Sequence, residues 1–190
     1  MSASELDLRT QLAQRGALLE GHFRLSSGRH SNRFIQKFRI LEDPALLEPV
    51  AAAIASRFRD GHPTIVVGAA VGGILLAYEV ARQLGTKAIF VEKDNGVPAL
   101  RRGFALAASD RVLVVEDVVT TGLSVREVLG VVRASGASVL GIGAIVARTE
   151  VNFDVRAEAL LELPIVSYDV SECPQCAAGE PIADPGSRRS

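Results

Sequence analysis

The chain has 190 residues, 48% of them hydrophobic and 23% charged, with a formal net charge of −1. That balance is globular, fits a single domain with a real core, and offers no global attraction for nucleic acid or an anionic membrane. No apolar run approaches the roughly 20 residues of a membrane span, the start carries no charged-then-apolar signal layout, and two cysteines do not make a disulfide framework, so a cytoplasmic location is expected.

Residues 4–19 place Leu6, Leu8, Leu12, Leu18 and Leu19 near one helical face and predict a helix stopped by Gly21. Residues 22–41 are polar at first, turn at Gly28 and then read as hairpin-like. Pro44 opens a second helix that closes before Asp60-Gly61. TIVVGAA (64–70) is a short apolar run of the kind found in parallel strands covered on both faces. A helix over 73–85, a strand over 87–92, a polar loop over 93–103 and a strand over 111–116 follow. A helix over 123–136 and strands over 138–147 and 159–167 come next, before a small, Pro- and Gly-containing tail expected to be loop. Strands separated by helix-length crossovers predict an α/β fold with a doubly wound, mainly parallel sheet. The expected organisation is one domain over 1–190: an N-terminal segment over 1–43, an α/β core over 44–170 and a tail over 171–190.

In such a sheet ligands bind beyond the carboxyl ends of the strands, and the loop after RVLVVE is unusual. Two adjacent carboxylates, Glu116 and Asp117, end the apolar run; Val118 and Val119 follow, then Thr120, Thr121, Gly122, Leu123 and Ser124 lead into a helix. Gly122 allows close backbone approach, and hydroxyls and free N–H groups at a helix start hold anions such as a phosphate monoester. The Thr-Thr-Gly alone would be an ordinary capped turn. Carboxylates beside it accept hydrogen bonds from a diol, coordinate Mg²⁺ and stabilise nearby positive charge. The combination suits a phosphorylated sugar. Neither Gly-Lys-Ser/Thr nor G-x-G-x-x-G occurs here.

The stretch VLVVEDVVTTGLS resembles the phosphoribosyl-diphosphate signature of the type I phosphoribosyltransferases. GHFRLSSGRHSNRF (21–34), VVGAAVGGILLAYEVARQLG (66–85), AIVARTE (144–150) and the CPQCAAGEPIADPGSR ending are similar to segments of orotate phosphoribosyltransferases. That resemblance implies the type I fold with an N-terminal hood, and transfer of a phosphoribosyl group from 5-phosphoribosyl 1-diphosphate to orotate. It implies Mg²⁺ carried by the substrate, with Asp117 as a candidate protein ligand, and a homodimer in which a mobile loop closes over the neighbour's site. It gives Glu116 and Asp117 the ribose hydroxyls, Thr120 to Ser124 the 5′-phosphate, Thr120 a place beside the base, and Arg148 the orotate carboxylate. Lys93 is the matched cation of the mobile loop, and the Phe34 neighbourhood falls over the pyrimidine ring. The chain departs from the family pattern at three places: Gly72 stands where a Lys is common, the second Lys and the His of the mobile loop are missing, and Ser26 occupies a commonly basic position. Arg101 and Arg102 are candidates to replace the missing charge.

Two other functions share these residues: the same fold acting on a purine or other base, and a non-catalytic sensor of phosphoribosyl diphosphate. The second would call for an added basic nucleic-acid segment, and the N-terminal helix is acidic. His22 and His30 read as ordinary surface or hydrogen-bonded histidines, with nothing that pairs them with a nucleophile. Cys173-Pro174-Gln175-Cys176 is half of a zinc-ribbon spacing with no second pair and no nearby His, so two ordinary thiols near a tail are expected unless a second subunit completes a site.

Overall fold

The computed structural model describes residues 3–25 and 27–185, which form two compact units. One comprises the chain up to Ile40 together with the segment from Pro164; the other is Leu41–Leu163.

The larger unit holds a six-stranded sheet. Its strands are β3 (Ile65–Ala69), β4 (Lys87–Asp94), β5 (Val97–Leu100), β6 (Arg111–Val119), β7 (Ser138–Ala147) and β8 (Ala157–Glu162), in the spatial order β5-β4-β3-β6-β7-β8. All neighbours are parallel except the β4–β5 pair. Helix α4 (Gly72–Leu84) carries the chain from β3 to β4 in one direction, and α5 (Leu123–Ala134) carries it from β6 to β7 in the other. Right-handed crossovers running in opposite directions put their helices on opposite faces. The alternation along the strands agrees. Ile65, Val67, Val112 and Val114 form one buried cluster with Val125, Val128, Leu129 and Val132 of α5. Gly68 meets α4 so closely that a Cβ there would lie 2.2 Å from the Gly73 carbonyl oxygen. Helix α3 (Pro44–Phe58) begins behind Asp43, whose carboxylate accepts from the Ala45 N–H, and lies against α4 and β7.

Three elements of this unit differ from expectation, one being β8, which ends at Glu162 rather than at 167. The stretch after Glu92 is not a polar loop. It is a β-hairpin in which Asn95 and Gly96, both at positive φ, turn the chain so that Lys93 pairs with Pro98 and Asp94 with Val97. Strand β6 also runs past the acid pair, pairing Val118 with Val146 and Val119 with Ala147.

The smaller unit contains α1 (Ala3–Gln14) and a two-stranded sheet, β1 (Leu18–Arg24) against β2 (His30–Ile35). Leu18 and Leu19 belong to β1 rather than to the first helix, which ends at Gln14 just before Gly16 at φ 66°. The tail is more ordered than its composition suggested. Tyr168 bridges to His30 in both directions, Ala183 donates to the His22 carbonyl, and Pro174–Ala177 forms a helical turn (α6). Arg24 reinforces this contact through Asp184, at 2.6 Å. The turn α2 (Phe38–Leu41) follows β2.

Candidate active site

The sheet reverses its winding between β3 and β6, and at such a point the loops diverge and leave a crevice. Pairing between the two strands stops at Gly68 and Val115. Glu116 and Asp117 therefore stand on β6 where β3 no longer accompanies it. Both are buried, at 5% and 1% exposure, and apart from three side chains in the smaller unit they are the only polar residues so enclosed among those described. Their carboxylates turn back on the strand: Glu116 Oε1 accepts the Asp117 N–H at 3.1 Å, and Asp117 Oδ1 accepts the Val118 N–H at 2.7 Å. Two sheltered carboxylates are hard oxygen donors, the chemistry that Mg²⁺ or a sugar diol takes.

Past Val119 the chain rounds Thr120 and Thr121 to Gly122, the N-cap of α5, at φ 75°. No side chain caps that helix, so its first N–H groups face the loop. The Leu123 N–H reaches the Thr121 hydroxyl only at 3.4 Å. The loop is held from outside by the segment after β7. Thr149 donates its hydroxyl to the Thr120 carbonyl at 2.5 Å, and Arg126 of α5 donates to the Asn152 carbonyl. Val151 and Phe153 lie where a Gly122 side chain would have to go. A second uncapped helix start occurs at α4, where Val71, Gly72 and Gly73 follow β3, the Ala70–Val71 peptide being cis.

Arg148 comes off the end of β7, with its N–H donating to the Val119 carbonyl at 2.9 Å. This fixes it beside the acid-bearing strand. Its guanidinium is half-buried, makes no ion pair with any described residue, and its Nε is enclosed without a hydrogen-bond partner. Burial pulls its pKa below the ordinary arginine value. A structural ion pair at this strand end, the plain alternative, is absent among the described residues.

The other expected cations are engaged elsewhere. Lys93 pairs with Glu127 of α5 at 2.8 Å, Arg101 with Asp94 at 3.3 Å, and Arg102 with Glu92 at 3.0 Å while lying over the Phe90 ring. All three belong to the β4–β5 hairpin or its end. Phe34 lies in the smaller unit, its ring 5.8 Å from that of Phe23. Ser26 falls outside the described residues. Glu127 carried no signal in the sequence, since nothing local ties it to Lys93.

Residues 38–161 match the family described as the phosphoribosyl transferase domain. The orotate phosphoribosyltransferase of Pelotomaculum thermopropionicum is 51% identical over 176 residues, covering 92% of this chain and 93% of the relative. The chain belongs to the orotate phosphoribosyltransferase family. Another orotate phosphoribosyltransferase, from Chlorobaculum parvum, is 48% identical over 91% of each chain. The crystal structure of the Aeropyrum pernix orotate phosphoribosyltransferase superposes with a TM-score of 0.70 at 29% identity, over 82% of this chain and 93% of that one. The adenine phosphoribosyltransferase of Leishmania tarentolae shares the fold, with a TM-score of 0.62 at 21% identity over 82% of this chain and 87% of that one. As a member of the orotate phosphoribosyltransferase family the chain is a glycosyltransferase, with a mainly parallel central sheet. No helix of the described residues is long and apolar enough to cross a membrane.

Proposed function

We propose that this protein transfers the phosphoribosyl group of 5-phosphoribosyl 1-diphosphate to orotate, giving orotidine 5′-phosphate and diphosphate in pyrimidine nucleotide synthesis. The observation that carries the reading is Arg148. A half-buried guanidinium without a carboxylate is an incomplete arrangement, because a desolvated charge is costly until an anion joins it. Orotate differs from uracil by one carboxylate, and a planar guanidinium holds a carboxylate through two parallel bonds.

The remaining roles follow from position. The uncapped start of α5, with Thr120, Thr121, Gly122, Leu123 and Ser124, holds the 5′-phosphate through backbone N–H groups and hydroxyls. Glu116 and Asp117 take the ribose hydroxyls, with the backbone of Val118 and Val119 fixing their height along the strand. Thr120 stands nearest the base. Val71, Gly72 and Gly73 receive the diphosphate through backbone N–H groups, Gly72 supplying no cation. As the C1–oxygen bond breaks, the electron pair leaves with diphosphate, and the orotate ring nitrogen bonds to C1, its proton passing to the departing diphosphate. The ribosyl centre is cationic in passage, and the two carboxylates stabilise it without moving. Mg²⁺, when bound with the substrate and within reach of Asp117, supplies charge neutralisation to the diphosphate.

Lys93, with Arg101 and Arg102, is assigned to the diphosphate of a neighbouring subunit in a homodimer. Leu75 and Tyr78, exposed and three residues apart on α4, support self-association. A cytoplasmic location belongs to the same reading. The test is the loss of orotate absorbance with 5-phosphoribosyl 1-diphosphate and Mg²⁺, beside adenine, hypoxanthine, xanthine and uracil. Arg148→Ala should raise the KM for orotate about a hundredfold, the worth of a charge-assisted pair, and leave that for 5-phosphoribosyl 1-diphosphate nearly unchanged. Turnover of a purine, or both constants rising together in the variant, would overturn the assignment.

A further inference from the structure

Among the described residues, the buried polar ones outside the acid pair are His22, His30 and Ser31, all in the smaller unit. Ser31 is satisfied by the Val166 carbonyl at 2.8 Å. The two histidines instead face each other and two cysteines. His22 Nε2 lies 3.1 Å from His30 Nδ1, 3.5 Å from Cys173 Sγ and 3.6 Å from Cys176 Sγ, and His30 Nδ1 lies 3.2 Å from Cys176 Sγ. All four atoms fall within 4.8 Å of one another. Both cysteines are free thiols.

Four of the six separations, between 3.1 and 3.6 Å, are close to a tetrahedron's edges. With metal–nitrogen bonds near 2.05 Å and metal–sulfur bonds near 2.3 Å, tetrahedral zinc separates its ligands by about 3.3 Å for two nitrogens and about 3.6 Å for nitrogen and sulfur. We propose that His22, His30, Cys173 and Cys176 bind one structural Zn²⁺.

Three further features fit. His22 Nδ1 lies 3.0 Å from the Glu180 carbonyl, so the proton sits on Nδ1 and the lone pair of Nε2 points at the cluster. Two thiolates and two neutral imidazoles leave the bound ion without net charge, which suits a site where His22, His30 and Cys173 are at most 5% exposed. Soft sulfur with imidazole in tetrahedral order selects zinc over Mg²⁺ or Ca²⁺. All four positions come from the protein, so the site is closed and serves the fold rather than the chemistry. Its effect is to clamp β1 and β2 to a tail that the chain reaches only some hundred and fifty residues later, at Cys173 and Cys176.

The test needs no turnover and is independent of the assigned reaction. The full chain, expressed with added zinc and purified reduced and without chelator, should carry about one zinc per chain by mass-spectrometric metal analysis. A strong chelator should release it and lower the melting temperature by roughly 5 °C or more. Exchange for Co²⁺ should give the ligand-field and thiolate charge-transfer bands of a tetrahedral sulfur–nitrogen site. Cys176→Ser, at the partly open corner, should lose the metal and the cobalt spectrum; if it fails to fold, the wild-type metal content and cobalt spectrum decide. Folded, reduced protein that stays metal-free after dialysis against zinc would overturn the proposal, leaving a hydrogen-bonded cluster of two thiols and two imidazoles. So would a folded Cys176→Ser variant that keeps its zinc and its spectrum.

Discussion

Two glycines of the same helix should respond to alanine in opposite directions. Gly122, the N-cap of α5, sits at φ 75°, and a Cβ there would lie 2.8 Å from Val151 Cγ1 and 2.9 Å from Phe153 Cζ. The left-handed backbone costs an alanine about 1–2 kcal/mol, and crowding against two anchored side chains adds about 1–3 kcal/mol. Stiffening of the unfolded chain returns about 0.4–1 kcal/mol. Gly122→Ala should therefore lose about 2–4 kcal/mol, a drop in melting temperature of roughly 4–16 °C for a chain of this size. Gly130, inside α5, has open space where a Cβ would stand, with nothing within 4 Å, so Gly130→Ala should gain up to about 1 kcal/mol and melt a few degrees higher. Melting followed by circular dichroism reads both. The same Gly122 substitution shifts the N–H groups assigned to the phosphate, so the KM for 5-phosphoribosyl 1-diphosphate should rise on the order of tenfold, while Gly130→Ala leaves it alone. Equal shifts of the same sign, or an unchanged KM in a destabilised Gly122→Ala protein, would refute the account of this loop.

Asp117→Asn should keep the native circular dichroism and lose about a hundredfold in turnover, since one charge facing the ribosyl centre is removed and the shape is kept; near-normal turnover would end the role given to the acid pair. Arg148→Lys should recover only part of what Arg148→Ala loses for orotate, because an ammonium cannot form the paired bonds, and full recovery would argue for simple charge attraction. Mixing Lys93→Ala with Asp117→Asn chains under conditions of proven subunit exchange should restore part of the activity through one intact hybrid site. No rescue would mean that Lys93 does not act across subunits.

The doubly wound core was legible because its signals are local. Apolar runs such as IVVGA and RVLVV, flanked by helix-length segments, allow few other arrangements, and the strand-then-hydroxyl pattern around Gly122 picked out the loop to which the 5′-phosphate is assigned. Other features depended on partners far along the chain. Asn95-Gly96 is a strong hairpin signal that the reading of 93–103 as a polar loop passed over, and Pro98 is a residue that strands usually exclude. The structure reconciles them by putting Pro98 on β5, the edge of the sheet, where a missing N–H costs little. Lys93 read as a free loop cation, although its carboxylate, Glu127, stands on a helix 34 positions away. His22 and His30 lie about 150 residues before Cys173 and Cys176, and no spacing rule spans that distance.

The β4–β5 hairpin changes what a closing loop costs. An unstructured segment must give up about 1–2 kcal/mol of backbone freedom for each residue it orders. Here Val91 to Asp94 already run against Val97 to Leu100, with Arg101 and Arg102 drawn to Asp94 and Glu92. If this segment takes up the diphosphate role assigned to Lys93, it does so already paired, so little of the binding energy goes into ordering it. Its stiffness leans on exposed ion pairs, which salt weakens. Rising ionic strength should thus soften the hairpin before it touches the sheet beneath.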